Sequence, residues 1–313
     1  MIIEKKENGK VTHYVVDKDY PDSKLDKVLN NKVKPSQIKT IIDHDADVYT
    51  KEGKLLLRFR KDKLKKDNIT AFYDNVIRFA CTPTSNRGST SGSKSKNIYD
   101  NPKIKTNIIG YFDKLSPNHK FTLTKKGLRM PKITVRETRF LTDYPDKYNK
   151  LLPLIKEIDA YYEQYVPDKY KKQRQKANQT PFKINGTSFT TVTTNVNNQT
   201  TVHYDKGDDA DGFGNLAVIE HGVYTGGETC LPQYGLGVDV RTGDILYMDV
   251  HQPHGNLPIH LKSEDAKRLS IVCYLRKSIW DQTKGKTKKF KEYHLKTLKK
   301  QFKNDKPVRE CKK

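Results

Sequence analysis

Cysteine is scarce in this chain of 313 residues: only Cys81, Cys230, Cys273 and Cys311 occur, far apart from one another. That spacing excludes a paired zinc-finger arrangement and argues against a disulfide frame, so reduced thiols in an intracellular protein are expected. Long hydrophobic runs are missing too. No stretch approaches the roughly 20 apolar residues of a membrane span, and Met1-Ile-Ile-Glu-Lys-Lys6 lacks the apolar centre of a signal peptide. A nuclear or cytoplasmic location without membrane attachment is expected, and Asn-x-Thr sequences such as Asn185-Gly-Thr187 are expected to stay unglycosylated. Acidic residues are outnumbered, 37 against 60 basic ones, for a formal net charge of +23. A bias of that size favours a polyanionic partner, of which nucleic acid is the commonest, over a merely solvated lysine-rich surface. Internal repeats are absent. A mass of 36.2 kDa allows one large domain, alone or with an appendage.

What is present divides into three parts. Residues 1–84 mix short apolar runs (Leu55-Leu-Leu57, Val76-Ile-Arg-Phe-Ala80) with dense charge, and are expected to pack on the core as a basic N-terminal region. Residues 85–280 form the main domain. Around its start, Thr82 to Lys96 reads as a Ser/Thr/Gly/Lys loop, either a linker or a substrate loop in which Arg87 meets a phosphate. From Asp143, the spacing of Leu151, Leu154, Ile155, Ile158, Tyr161, Tyr162 and Tyr165 predicts a helix ending before Pro167. Its tyrosines read as core rather than as a base-stacking platform. A basic helical piece, Tyr170 to Lys176, follows. Thr187 to Arg276 then reads as short strands broken by glycine turns. Residues 281–313 are lysine-rich around Phe290, Tyr293, Leu298 and Phe302, the pattern of an amphipathic helix laid on the domain with its basic face outward. The fold class is α+β, and a monomer is expected.

Within the strand-rich block stands His203-Tyr-Asp205, followed later by His254-Gly-Asn256 and then Arg268. Side chains two apart on an extended strand point to the same face. A second histidine from a later strand would complete two imidazoles and one carboxylate on one side of a metal ion. That donor set is the facial triad of non-haem Fe(II) oxygenases. His203 and Asp205 alone would read as an ordinary hydrogen-bonded pair; the ordered set with His254 and Arg268 does not. His251 competes with His254 for the second position. His254 is preferred because Gly255-Asn256 lets the chain turn there, and His251 becomes a neighbour of the site. Arg268 shares a face with Ser270, Val272 and Tyr274 on an apolar strand. A cation on an inner face needs an anionic partner, and a two-pronged contact to the distal carboxylate of a dicarboxylic acid supplies one. Arg276 is the fallback for that role.

Several segments together resemble a known family. They are Phe189-Thr-Thr-Val-Thr-Thr-Asn195, His203-Tyr-Asp205, Gly212-Phe-Gly-Asn-Leu216, Tyr224-Thr-Gly-Gly227, Val238 to Asp244, Met248 to Asn256 and Arg268 to Arg276. This block resembles the dioxygenase domain of the J-binding-protein/TET family, on its thymidine-hydroxylase side. The likeness extends upstream through Ser85-Asn-Arg-Gly88, Gly110-Tyr-Phe-Asp113, Arg136-x-Thr138 and the helix Lys147 to Arg174. It implies a double-stranded β-helix (jelly-roll, cupin-like) with flanking helices, Fe(II), 2-oxoglutarate and dioxygen. It also implies oxidation of the 5-methyl group of a pyrimidine in DNA. Carried over, His203, Asp205 and His254 would be the catalytic iron ligands, and Arg268 would hold the 2-oxoglutarate C5 carboxylate. The sequence lacks the cysteine-rich zinc module that precedes the animal TET domain and has no evident room for a separate J-base-binding domain.

A methyl group in the major groove of a duplex cannot reach an iron inside a barrel, so double-stranded DNA with the target base flipped out is the expected partner. The basic surface would then supply phosphate contacts. The alternative is the same chemistry on a protein side chain, as in prolyl or lysyl hydroxylases. A basic nucleic-acid-binding protein with a decayed barrel comes third, since all four site residues are intact. Sequence alone leaves thymine and 5-methylcytosine both open.

Overall fold

The structure, a computed structural model, describes residues 1–79, 83–84, 89–92, 104–114 and 133–301. Arg87 and the rest of Ser85-Asn-Arg-Gly88, Cys81, Cys311 and Phe302 lie outside these residues. The early strands are β1 (Ile2–Asn8), β2 (Val11–Val16), β3 (Thr40–Ile42), β4 (Ala46–Thr50), β5 (Leu55–Arg60), β6 (Pro83–Thr84), β7 (Ile104–Phe112) and β8 (Arg136–Glu137). Those of the later block are β9 (Thr191–Val196), β10 (Gly214–His221), β11 (Tyr224–Gly226), β12 (Thr229–Leu231), β13 (Leu236–Val238), β14 (Ile245–Met248), β15 (Gly255–Asn256), β16 (Ile259–Leu261) and β17 (Lys267–Tyr274). Helices are α1 (Lys66–Val76), α2 (Arg139–Asp143), α3 (Pro145–Tyr165), α4 (Pro167–Asn178), α5 (Lys277–Thr283) and α6 (Lys288–Gln301).

Among the described residues one large sheet runs β1-β2-β4-β5-β14-β10-β17-β9-β7-β6, with β8 added beside β7. A smaller sheet runs β15-β12-β13-β3. Leu231, Leu236 and Val238 of the smaller sheet pack against Val218, Leu246 and Met248 of the larger one, so an apolar layer fills the space between them. This is a double-stranded β-helix. Its strands alternate as two-faced strands should: Thr12, Tyr14 and Val16 of β2 are buried, and the residues between them are less so.

The N-terminal residues are built into this core. β5 pairs antiparallel with β14 through Leu57↔Met248 and Phe59↔Leu246, and β3 runs parallel to β13. They therefore supply backbone hydrogen bonds that β14 and β13 would otherwise lack.

Helix α3 covers the other face of the large sheet. Leu151, Leu154, Ile155, Ile158 and Tyr162 recur every three or four residues and are all buried. Pro145 sits in the first turn, where its missing N–H costs nothing, and Pro167 opens α4. Tyr162 stacks on Tyr247 and Phe189, and its hydroxyl oxygen accepts the Phe213 N–H at 2.8 Å. Tyr162 is thus core, and Tyr161 and Tyr165 pack against it half-buried. Asp159 pins the same helix to the lead-in of β9, accepting the Ser188 N–H at 2.7 Å and the Ser188 hydroxyl at 2.6 Å.

Helix α6 lies over an apolar cluster of Tyr111, Val135, Phe182 and Ile279, and places Phe290 and Leu295 on it. Leu298 is buried, while Lys288, Lys289, Lys296 and Lys299 are exposed. No described helix is long and apolar enough to cross a membrane. Because α6 covers core, truncation after Trp280 is expected to lower the melting temperature. Leu298→Ala alone should cost about 2 to 5 kcal/mol in a denaturant titration. An unchanged midpoint in both would show that the helix contributes nothing to the fold.

Candidate active site

Two loops that are distant in sequence meet through the main chain. The His203 N–H donates to His254 O at 2.9 Å, and the His254 N–H returns to His203 O at 3.0 Å. Two residues on, the Asp205 N–H donates to Val250 O at 3.1 Å. The expected extended strand around His203 is reduced to this single bridge, yet it still turns His203 and Asp205 toward one place. The imidazole centroids lie 4.4 Å apart. Both Nε2 atoms face the same carboxylate, at 3.5 Å from Asp205 Oδ1 for His203 and 3.5 Å from Oδ2 for His254. Donor atoms from all three residues fall within 4.8 Å of one another.

This donor set fits a divalent ion of the Fe(II) class. His203 Nδ1 bonds the Thr201 carbonyl at 2.7 Å, and His254 Nδ1 bonds the Gln252 carbonyl at 2.9 Å. A carbonyl can only accept, so each Nδ1 donates its proton there, which leaves each Nε2 facing the centre as the atom that would ligate an ion. Burial would raise the Asp205 carboxyl, but hydrogen bonds from His203 and His254 hold it well below the usual carboxylate range. Burial likewise opposes charge on His254, yet the Asp205 carboxylate lifts its pKa above the ordinary value. Asp205 thus supplies the negative charge at the centre, and a cation bound there would displace a proton from His254.

Arg268 enters from β17, whose residues Leu269 to Tyr274 pair with β9 on one side, while Lys267 to Cys273 pair with β10 on the other. Its side chain crosses Gly227, where an added Cβ would come within 2.9 Å of Arg268 Cδ and Nε. The second glycine of Tyr224-Thr-Gly-Gly227 is therefore what admits the arginine. Arg268 is 5% exposed. Among the described residues its guanidinium has neither an ion pair nor a hydrogen bond. Burial pulls its pKa down, and the charges of Tyr224, Glu220 and Glu228 only partly oppose this. A buried cation without a protein anion is costly unless a ligand supplies the anion.

The three donors and Arg268 line one cavity of about 850 Å³, together with Ser270, Val272 and Tyr274. Two candidates from the sequence stand apart from this group. His251 turns to Asp249, with Nδ1 3.5 Å from Oδ1, and is not among the clustered donors. Arg276 reaches the cavity wall, but its guanidinium is engaged by Asp113 and lies 4.7 Å from the Phe112 ring centre. Sequence reasoning passed over the wall cations Lys114, Arg139 and Lys206, because an isolated Lys or Arg in a lysine-rich chain carries no positional signal, and it met Arg136 only within the family resemblance.

Residues 123–277 match the family model Tet_JBP, the oxygenase domain of the 2OGFeDO superfamily. The chain carries a Tet/JBP oxygenase domain. Membership in that superfamily implies Fe(II) and 2-oxoglutarate. The bifunctional helicase and thymine dioxygenase JBP2 of Trypanosoma cruzi (strain CL Brener) is 31% identical over 207 residues, 66% of this chain and 17% of that protein. Thymine dioxygenase JBP1 of Trypanosoma brucei brucei (strain 927/4 GUTat10.1) is 28% identical over 269 residues, 83% of this chain and 29% of that protein. The chain thus spans less than a third of either relative's length. A solved structure of NgTET1 in complex with 5mC DNA superposes with a TM-score of 0.51 at 14% identity, covering 85% of this chain and 88% of that one. At that identity the likeness concerns the fold alone.

For this Tet/JBP domain, His203→Ala, Asp205→Ala and His254→Ala are each expected to abolish Mn(II) binding in calorimetry, whereas His251→Ala keeps it. A dead His251 variant beside a competent His254 variant would reverse the choice between the two histidines.

Proposed function

We propose that this chain is an Fe(II)- and 2-oxoglutarate-dependent dioxygenase that hydroxylates the 5-methyl group of a pyrimidine, thymine or 5-methylcytosine, in DNA. The observation that carries the reading is the convergence, in one cavity, of the His203/Asp205/His254 donors with a buried Arg268 that has no ion-pair partner among the described residues. The relatives named thymine dioxygenases favour thymine as the first base to try.

His203, Asp205 and His254 would hold the iron on one side, leaving the positions facing the cavity to 2-oxoglutarate and dioxygen. Bound iron supplies the oxidation of a C–H bond to an alcohol, coupled to conversion of 2-oxoglutarate and dioxygen into succinate and carbon dioxide. The protein's task is positional. Arg268 would fix the far carboxylate through a charge-assisted, two-pronged contact and so set how deep the cosubstrate sits. Val272 and Leu216 add apolar wall to the cavity, which keeps water from the reacting methyl group. The depth of the site requires the base to leave the duplex, at a cost of a few kcal/mol. Lys114 and Lys206 at the cavity and the net positive chain offset that cost through phosphate contacts, which weaken as salt rises. A duplex substrate places the work, as a monomer, in the nucleus or cytoplasm.

Arg268→Ala is expected to raise the 2-oxoglutarate KM about ten-fold or more with metal binding kept, and Arg268→Lys to recover only part, because a point charge replaces a planar fork. An unchanged KM in both would remove Arg268 from this role.

Incubating thymine- and 5-methylcytosine-containing duplexes with the protein, Fe(II) and 2-oxoglutarate in air, followed by nucleoside mass spectrometry, should show a hydroxymethyl pyrimidine. Succinate release with neither base oxidised would overturn the DNA reading while leaving the dioxygenase reading in place.

A further inference from the structure

Strand β9 carries Asn195 on the face that lines the cavity. Directly opposite it in register stand Ser270 on β17 and Thr106 on β7. Either hydroxyl is a natural partner for a carboxamide, yet both serve main-chain carbonyls instead. Thr106 Oγ1 donates to Thr194 O at 2.9 Å, and Ser270 Oγ to Asn195 O at 3.4 Å. The Asn195 carboxamide makes no hydrogen bond to any described residue, and its Oδ1 is buried. A buried acceptor without a partner costs free energy, so a fold that keeps this orientation needs a reason. Asn195 itself lines the cavity, and its amide NH2 group has no acceptor among the described residues.

What lies beside that NH2 group narrows the ligand. Arg268 precedes Ser270 by two residues on β17 and so shares its face, and all three side chains line the cavity. A guanidinium and an amide NH2 offer donors only, while the one Ser270 hydroxyl proton is already given to the Asn195 carbonyl. A pyrimidine edge presents both donors and acceptors, whereas a carboxylate is acceptor-only. We propose that Asn195 is a further binding residue for the dicarboxylate cosubstrate, its NH2 group donating to a carboxylate oxygen beside Arg268 and Ser270. The assignment rests on the 2-oxoglutarate reading given above.

The test uses the full chain loaded with Mn(II), with 2-oxoglutarate titrated by calorimetry and the melting temperature measured on the same samples. Asn195→Leu keeps the shape and removes the polar atoms. It should lower 2-oxoglutarate affinity about ten-fold while leaving the melting temperature unchanged or raised, since no protein hydrogen bond is lost. Asn195→Asp sets a like charge against the ligand and should weaken binding further. Unchanged affinity in both variants overturns the proposal. So does a Leu variant whose loss of affinity is matched by a large fall in melting temperature, because the amide would then be serving the fold. Wild-type protein that binds Mn(II) but not 2-oxoglutarate overturns the cosubstrate reading itself, and this assignment with it.

Discussion

The bridge between His203 and His254 is two main-chain hydrogen bonds long, and the metal-type donor set exists only while it holds. It joins the loop after β9 to the loop after β14, and each loop carries donors that would otherwise point into unrelated space. The bridge is short because it need not be strong by itself. β9 and β14 are held in one sheet through β17 and β10, so the loop ends are already close before the two histidines pair. Side-chain bonds from each Nδ1 to a carbonyl two residues back then fix the ring planes. The centre is thus organised by backbone geometry first and by side-chain chemistry second, an order that leaves little to rearrange when an ion arrives.

Charge is handled in two opposite ways. At the donor cluster the imidazoles of His203 and His254 hold the Asp205 carboxylate ionised, and that carboxylate in turn favours the charged form of His254. At Arg268 a cation is buried with no such answer, and its stem lies over a glycine that admits nothing larger. Other buried cations among the described residues are matched. Arg60 meets Asp47 at 2.8 Å, and Lys176 is shared between Asp209 and Asp211. Among the described residues this contrast at the cavity wall supports the proposed contact of Arg268 with an external anion.

Much of the site could be read from the sequence, for reasons specific to each residue. His203 and Asp205 were legible because period-two spacing and ligand type coincide. Arg268 was legible because a charge heading a run as apolar as Leu269-Ser-Ile-Val-Cys-Tyr-Leu275 demands an explanation. Choosing between His251 and His254 drew on a turn signal, while the physical discriminator, Asp249 occupying His251, depends on how the loop folds back. The N-terminal strands were illegible as part of the core. β5 pairs with β14, far along the chain, and pairing at such separation leaves no trace in local composition. Asn195 carried no signal either, since one asparagine after a threonine run looks like any polar strand residue.

By itself the sequence determined the donor types, their order, the strand-rich block that carries them, the covering helix with its apolar face, and the net positive charge of the chain. These are properties of spacing and composition, and local rules govern them. Only the tertiary structure decided which histidine joins Asp205, that Gly227 makes room for Arg268, that residues 2–60 complete both sheets, and that the Asn195 amide has no partner among the described residues. Each of these is a relation between segments distant along the chain. Hydrogen bonding and close packing fix such relations only after the sheets have formed.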